Sequence, residues 1–529
     1  MAKHRLREEF DTVVPETSDV RGDGPLGRSA ASGTLWLVAQ RWVVRVTGLV
    51  TIAILTRLVT PEQFGVVAAA SAVIPFVLLL SELGLSVYIV QAPELSRRTL
   101  STAFWFCLAV AVTLSVTLVL AAPVIAEVLQ VPAATPVIRG LAPSVVVVVL
   151  ASVPMALLRR RMSFRLLAIQ GTVATFVAQV VAIVMALNGA GAWALVAQLL
   201  VSQVIATLLA WRSARWLPGL QFSLSELGQM ARFGINVVMV ECVSTARAAA
   251  ESAVVAIVLG PVALGYLAIA QRLVAVVQDL GAAAVVPVST VVFAKLRETG
   301  TRLRSAYLRS IGIAYTTVAP LLGFVAVSAP ILVPTLFGPG WESSVPVAQG
   351  LAIAAIVTLG SVVDQGLFYG MGRPGMWLIY AIVIDALTLA VTAVAAQDSL
   401  AMVAWGFVVV ALIATVVRWA MIGRIVDATL LRMATPLATA LMPASISVAV
   451  GWGALQVLSS APPVLALTIA AGLVGVTHPV TVRIFEPLVF RDIVTLVPLS
   501  AHFRRSINRF LPLVAERTSV SEGGPDGLV

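Results

Sequence analysis

The chain has 529 residues, of which 59% are apolar and only 11% charged, and it carries a formal net charge of +10. A bilayer-crossing helix uses about 20 mostly apolar residues, so roughly 300 apolar positions furnish a dozen or more spans and leave little for a soluble core. This excludes a water-soluble protein and assigns the basic surplus to the cation excess of cytoplasmic loops, not to a nucleic-acid partner.

Residues 1–32 are polar and form a cytoplasmic N-terminal segment without a cleavable apolar core, so the first hydrophobic stretch is expected to remain as an anchor. Apolar stretches separated by Pro, Gly, Arg or short polar runs then give fourteen candidate spans. They lie near 33–58, 64–91, 101–122, 137–157, 166–187, 192–211, 234–259, 264–290, 310–336, 345–370, 377–396, 401–422, 436–458 and 463–483.

Alternate connections differ sharply in charge. Lys3, Arg5, Arg7, Arg21 and Arg28 precede span 1; the same side receives Arg97 and Arg98, Arg159 to Arg161 with Arg165, Arg212 and Arg215, Lys295 to Arg309, Arg373, Arg424 and the tail. The intervening connections, PEQ at 61, EVLQVPAAT at 127, NGAG at 188, GPVA at 260, FGPGWESS at 337, QDS at 397 and SSAPP at 459, contain no Lys or Arg. Both termini are therefore expected in the cytoplasm, with an even number of spans. Every external connection is short and neither GxxxxGK[ST] nor HExxH occurs, so an enzyme with an external catalytic loop or its own ATPase is not expected. His4, His478 and His502 lie at a terminus or near membrane edges, and Cys107 and Cys242 sit singly in apolar helices, so no cofactor, metal or disulfide is expected.

The sequence repeats at an offset of 200. LVTPEQFGVVAAA at 58–70 matches VLGPVALGYLAIA at 258–270 without a gap, with Pro61/Pro261, Gly65/Gly265, Ala68/Ala268 and Ala70/Ala270 identical. Six spans separate equivalent points, and both halves begin on the cytoplasmic side. The expected fold class is an all-α polytopic membrane protein with two pseudo-symmetric six-helix lobes plus two C-terminal helices. Its parts are an N-lobe at 33–212, a cytoplasmic linker at 213–233, a C-lobe at 234–422, spans 13 and 14 within 436–483, and a cytoplasmic tail at 484–529.

An ionised side chain at the bilayer centre costs roughly 2.5 to 3.5 kcal/mol on insertion scales, so buried charges persist mainly where they face a cavity or a partner. Span 1 carries Arg41 and Arg45 on one face; span 2 carries Glu82; span 7 carries Glu241, Arg247 and Glu251; span 8 carries Arg272 and Asp279; span 11 carries Asp385. At about 1.5 Å of rise per residue, Arg45 and Arg247 fall near mid-span and Arg272 slightly to the external side. Arg41, Arg45, Arg247 and Arg272 are thus candidate substrate-binding residues, and Glu82, Glu241, Glu251, Asp279 and Asp385 candidates for gating or ion coupling. The bland alternative is that Arg247 and Glu251, and likewise Arg272 and Asp279, neutralise each other along their own helices. Arg41 and Arg45 have no acidic residue on theirs. The offset also makes Arg41 the counterpart of Glu241, either as a salt bridge across a cleft or as two separately solvated charges.

Asp364 and Arg418 lie near cytoplasmic ends, where snorkelling would satisfy them. Trp36, Trp42, Trp193, Trp211, Trp216, Trp341 and Trp377 sit mostly near span ends and read as an aromatic belt. The stretch near 490–515 alternates apolar residues with Arg504, Arg505 and Arg509, which suits a helix on the membrane surface, and 516–529 has the composition of a disordered tail.

RLVTPEQFGVVAAASAVIPFVLLLSELGLSVYIVQ at 57–91, LRRRMSFR at 158 and VLGPVALGYLAIAQRL at 258 together resemble the bacterial polysaccharide exporters, the oligosaccharide flippase branch of the multidrug, oligosaccharidyl-lipid and polysaccharide (MOP) exporter superfamily. The resemblance implies a carrier that moves a polyprenyl-diphosphate-linked oligosaccharide from the cytoplasmic to the external leaflet by alternating access, for surface-polysaccharide biosynthesis. It also implies a cavity bounded by spans 1, 2, 7 and 8, where the charge pattern places the polar groups. The cavity of the related lipid II flippases is cationic; here Glu82, Glu241, Glu251 and Asp279 share the region. The partners implied are the lipid-linked oligosaccharide, membrane lipids, and the polymerase and glycosyltransferases of the same assembly line, with a Na⁺ or H⁺ gradient or the membrane potential as energy source. A lipid II flippase is the nearest alternative. A multidrug exporter coupled to cations would use the acidic residues instead, and a non-transporting scaffold would need no buried charge.

Overall fold

The computed structural model describes residues 43–92, 94–295 and 300–496, and their regular structure is entirely α-helical. Among these residues twelve helices are long and apolar enough to cross a membrane. One of them, Glu241–Asp279, is two spans: Gln271 donates to Glu251 at 3.0 Å, whereas twenty residues of straight helix would separate them by about 30 Å. The reversal falls at Gly260, whose φ of 83° is one that a side chain would oppose, immediately before Pro261. With this hairpin counted as two spans, and with the helix over 43–58 added, fourteen segments stand where the hydropathy pattern puts them.

Local chemistry sets the helix ends. The TPEQ run opens span 2 (Pro61–Glu82, continued after a break as Leu85–Gln91) with a reciprocal capping box. Thr60 N–H donates to Gln63 Oε1 and Gln63 N–H to Thr60 Oγ1, each at 3.4 Å. The arginines of LRRRMSFR cap the C-termini of neighbouring helices: Arg160 donates to the carbonyls of Ile89 and Ala92, and Arg161 to that of Ala214 at 3.0 Å. Cations at carbonyl-rich helix ends also complement the helix dipole.

Side chains pack through small residues and face lipid with large ones. In span 5 (Phe164–Leu187) Ala174, Ala178, Ala182 and Ala186 are buried, and this stripe lets span 6 (Ala192–Ala214) approach closely. On its other faces Val173, Phe176, Val180 and Val184 are exposed.

Internal packing divides the chain into two units. The first holds the described residues up to Leu58, with Ala70–Glu127 and Pro132–Thr245; the second holds Val59–Ala69, Val128–Val131 and the described residues from Ala246 on. The division falls inside span 7, and the expected linker at 213–233 lies within the first unit. That linker is helical from Leu224. It is also pinned to the polar first turn of span 3 (Arg97–Val128): Gly219 N–H reaches Ser101 Oγ at 2.9 Å, Ser223 N–H reaches Thr102 Oγ1 at 3.1 Å, and Thr99 donates to Glu226 at 2.8 Å.

The first unit's core gathers Leu85, Ile89, Phe104, Val149 and Leu157 with Trp216. Trp211 and Trp216 pack edge-on against Phe104 at 5.7 and 5.8 Å, so Trp216 is a core residue and not part of an interfacial belt. In the second unit Trp341 is 1% exposed and packs edge-on against Phe64 at 5.2 Å and Tyr266 at 5.9 Å. It too leaves the belt, because the connection carrying it folds back onto the helix ends.

Beside Trp341 the two copies of the repeat cross. A Cβ on Gly65 would lie 1.6 Å from the Pro261 carbonyl oxygen, and one on Gly265 would lie 2.1 Å from that of Pro61. The contact is reciprocal, so the four identical positions that revealed the repeat include the residues whose lack of a side chain lets it close on itself. The tail's described start, Pro487–Leu496, is a helix in which Phe490 and Asp492 are buried. Asp492 takes two hydrogen bonds from Arg309, so this part is docked on protein and does not lie free on a lipid surface. The rest of the expected surface helix and the expected disordered tail fall outside the described residues.

Candidate functional site

The candidate residues come together most clearly on the hairpin of spans 7 and 8 and the middle of span 11. Arg247 Nη1 donates to Glu251 Oε2 at 2.7 Å, the contact that the four-residue spacing allows along one helix. Its Nε forms an ion pair with Asp385 Oδ1 at 3.0 Å. Asp385 belongs to span 11 (Pro374–Ala395), so the pairing expected within one helix is made and is extended by a second carboxylate from another. Glu251 Oε1 is held in turn by Gln271 of span 8 at 3.0 Å.

Depth follows from helix geometry. Glu251 and Arg247 lie about 14 and 20 Å from the hairpin tip, and Asp385 about 15 Å from each end of its helix, in a hydrocarbon core about 30 Å thick. One guanidinium thus stands well inside the membrane-spanning stretch, between two carboxylates. Their side-chain exposures differ, 32% for Arg247, 24% for Asp385 and 9% for Glu251. Such an arrangement neutralises a deep cation while keeping it within reach of another anion.

The other candidates are more dispersed. Arg45 is exposed on the helix over 43–58, Glu241 and Arg272 are exposed, and Asp279 is half-buried. Glu82 is half-buried and accepts a hydrogen bond from Ser86 at 3.1 Å. Arg41, and with it the bridge expected to Glu241, lies outside the described residues. Among the described residues no group of three or more His, Cys, Asp or Glu side chains could hold a metal ion.

Asp364 and Arg418 do not snorkel. Their side chains are 0% and 1% exposed and form an ion pair; Tyr307 donates to Asp364 Oδ1 at 2.5 Å. Arg418 reaches Tyr380 Oη at 3.4 Å and Thr415 Oγ1 at 3.3 Å. Position along a helix suggested an escape to the interface, but the partners come from spans 9, 10 and 11, whose adjacency no local pattern reveals. His478 is likewise internal: Nε2 donates to the Thr316 carbonyl at 2.8 Å, which fixes its tautomer because a carbonyl can only accept.

Residues 54–346, more than half of the chain, match the family described as polysaccharide biosynthesis protein. The chain belongs to that family. It is 27% identical over 350 residues to the succinoglycan biosynthesis transport protein ExoT of Rhizobium meliloti (strain 1021), covering 66% of this chain and 71% of the relative. To the lipopolysaccharide biosynthesis protein WzxC of Escherichia coli (strain K12) it is 26% identical over 336 residues, covering 63% and 68%. In fold it is similar to the lipid II flippase MurJ in an inward closed conformation, with a TM-score of 0.68 over 87% of this chain and 100% of that one at 12% identity. A multidrug resistance MATE family transporter of the MOP superfamily, inward-facing, gives a TM-score of 0.53 over 77% of this chain and 98% of that one at 17% identity. The chain is therefore a multi-pass membrane protein with a fold like those of MurJ and the MATE transporter.

Proposed function

We propose that the protein is a flippase that carries a polyprenyl-diphosphate-linked oligosaccharide from the cytoplasmic to the external leaflet of the bacterial cytoplasmic membrane by alternating access, for assembly of a cell-surface polysaccharide. The observation that carries this reading is Arg247, a cation held between two carboxylates inside a membrane-spanning helix and within the segment that matches the family. A diphosphate crossing the hydrocarbon needs such a cation, since an uncompensated charge there is costly. Arg272 on span 8 and Arg45 on the helix over 43–58 are further candidate cations for substrate binding. The names of ExoT and WzxC, a transport protein and a lipopolysaccharide biosynthesis protein, support the substrate class.

The alternation of basic and cation-free connections supports cytoplasmic termini. The polymerase and glycosyltransferases that consume and supply the substrate are the expected partners, and a Na⁺ or H⁺ gradient or the membrane potential is the expected energy source. A cell lacking the protein should accumulate lipid-linked oligosaccharide on the cytoplasmic face, relieved by the wild-type gene and not by Arg247→Gln. Unchanged surface polysaccharide in the deletion strain would contradict the reading. A cation-coupled exporter is the second reading, favoured by the two carboxylates around one guanidinium; it requires lower resistance to cationic drugs in the deletion strain.

A further inference from the structure

The two carboxylates on Arg247 are not equivalent. Glu251 lies on the same helix, its side chain is 9% exposed, and each of its oxygens has its own donor, Arg247 Nη1 at 2.7 Å and Gln271 Nε2 at 3.0 Å. Asp385 comes from span 11, its side chain is 24% exposed, and it meets the guanidinium through Nε at 3.0 Å. Among the described residues the guanidinium hydrogen-bonds through Nη1, to Glu251, while Asp385 is held at Nε by an ion pair without a hydrogen bond. An anion with several oxygens can take Nη2 and Nε together, giving the bidentate contact that a planar guanidinium favours.

We propose that Asp385 is a displaceable counter-ion that occupies Arg247 until the diphosphate of the substrate replaces it, so that substrate binding itself unties span 11 from span 7. Glu251 stays in place, held by Gln271, and keeps Arg247 aimed. The exchange conserves charge pairing. The guanidinium is never left bare inside the membrane, which removes the penalty that an empty cationic site would carry through each transport cycle. Asp385 is released towards the side on which it is already partly exposed. The tie between spans 7 and 11, present here as the Arg247–Asp385 ion pair, therefore depends on occupancy. This rests on the diphosphate reading of Arg247 given above.

The test is binding of farnesyl diphosphate to the purified full-length protein in detergent, with farnesol as the uncharged control. Asp385→Asn removes the competing charge at almost constant shape and should tighten binding about tenfold, the equivalent of one competing ion pair. Asp385→Glu keeps the charge and should bind like the wild type; Asp385→Ser gives the same readout as Asp385→Asn should that variant not purify. Arg247→Gln should lose the preference for diphosphate over farnesol. If Arg247→Gln weakens binding while the neutral variants at 385 bind no more tightly than the wild type, the counter-ion inference is overturned and the diphosphate reading stands. Unaltered binding by Arg247→Gln overturns both.

Discussion

Replacing Arg418 by Met leaves the carboxylate of Asp364, 0% exposed, with Tyr307 as its remaining donor at 2.5 Å. Removing one partner of a buried ion pair costs about 3 to 5 kcal/mol, because the other charge stays buried and uncompensated. Tyr307→Phe removes one hydrogen bond to a charged group and should cost less, about 1.5 to 3 kcal/mol. Converting the pair to apolar residues of similar volume, Asp364→Leu with Arg418→Met, removes both the attraction and the orphaned charge, and such replacements are often neutral or stabilising. Thermal denaturation of the purified variants in detergent should therefore rank Arg418→Met lowest, Tyr307→Phe between, and the double variant near the wild type. An Arg418→Met protein as stable as the wild type, or a double variant no better than that single one, would refute the reasoning. Because the pair is assigned to packing, the double variant should also restore export.

A cysteine at Ser343, exposed between spans 9 and 10, should react with an impermeant external reagent, and one at Ser305 only after permeabilisation; the reverse would invert the topology. Gly65→Leu forces a side chain to where a Cβ alone lies 1.6 Å from the Pro261 oxygen, so it should destabilise by the roughly 1 to 3 kcal/mol typical of overpacking or more. Gly453→Ala, where a Cβ meets nothing within 4 Å, should be neutral or slightly stabilising, and equal melting of the two variants would dismiss the repeat crossing as a tight contact. Arg45→Gln and Arg272→Gln should each reduce export of the polymer at normal protein levels; full complementation by both would remove them from the site.

Hydropathy and loop charge were sufficient to locate the spans because a helix in lipid must satisfy its backbone internally and spend about 20 apolar residues to do so. The four-residue spacing of Arg247 and Glu251 likewise made their contact legible. Asp385 was legible as a deep charge but not as Arg247's partner, since more than a hundred residues separate them and no periodicity links span 7 to span 11. The same holds for Asp364 and Arg418. Each sits near a helix end, so the local reading sends it to the interface, while Tyr307 and Tyr380 from other helices make an internal site for the pair. Trp216 and Trp341 were misplaced for a related reason. A tryptophan near a span end suits the lipid boundary, and only the folded-back connections that carry these two residues reveal Phe104, Phe64 and Tyr266 as their neighbours.

Translocation itself is the most direct measurement. Proteoliposomes holding the purified protein and a fluorescent polyprenyl-diphosphate-linked oligosaccharide can be challenged with an impermeant glycosidase or quencher that reaches the outer leaflet alone. The account predicts that wild-type protein brings the inner-leaflet pool within reach, and that Arg247→Gln protein, reconstituted to the same density, leaves close to half of the label protected, as in protein-free vesicles. Protection of the same pool with wild-type protein under an imposed Na⁺ or H⁺ gradient or membrane potential, or equal loss of protection with Arg247→Gln, would contradict it.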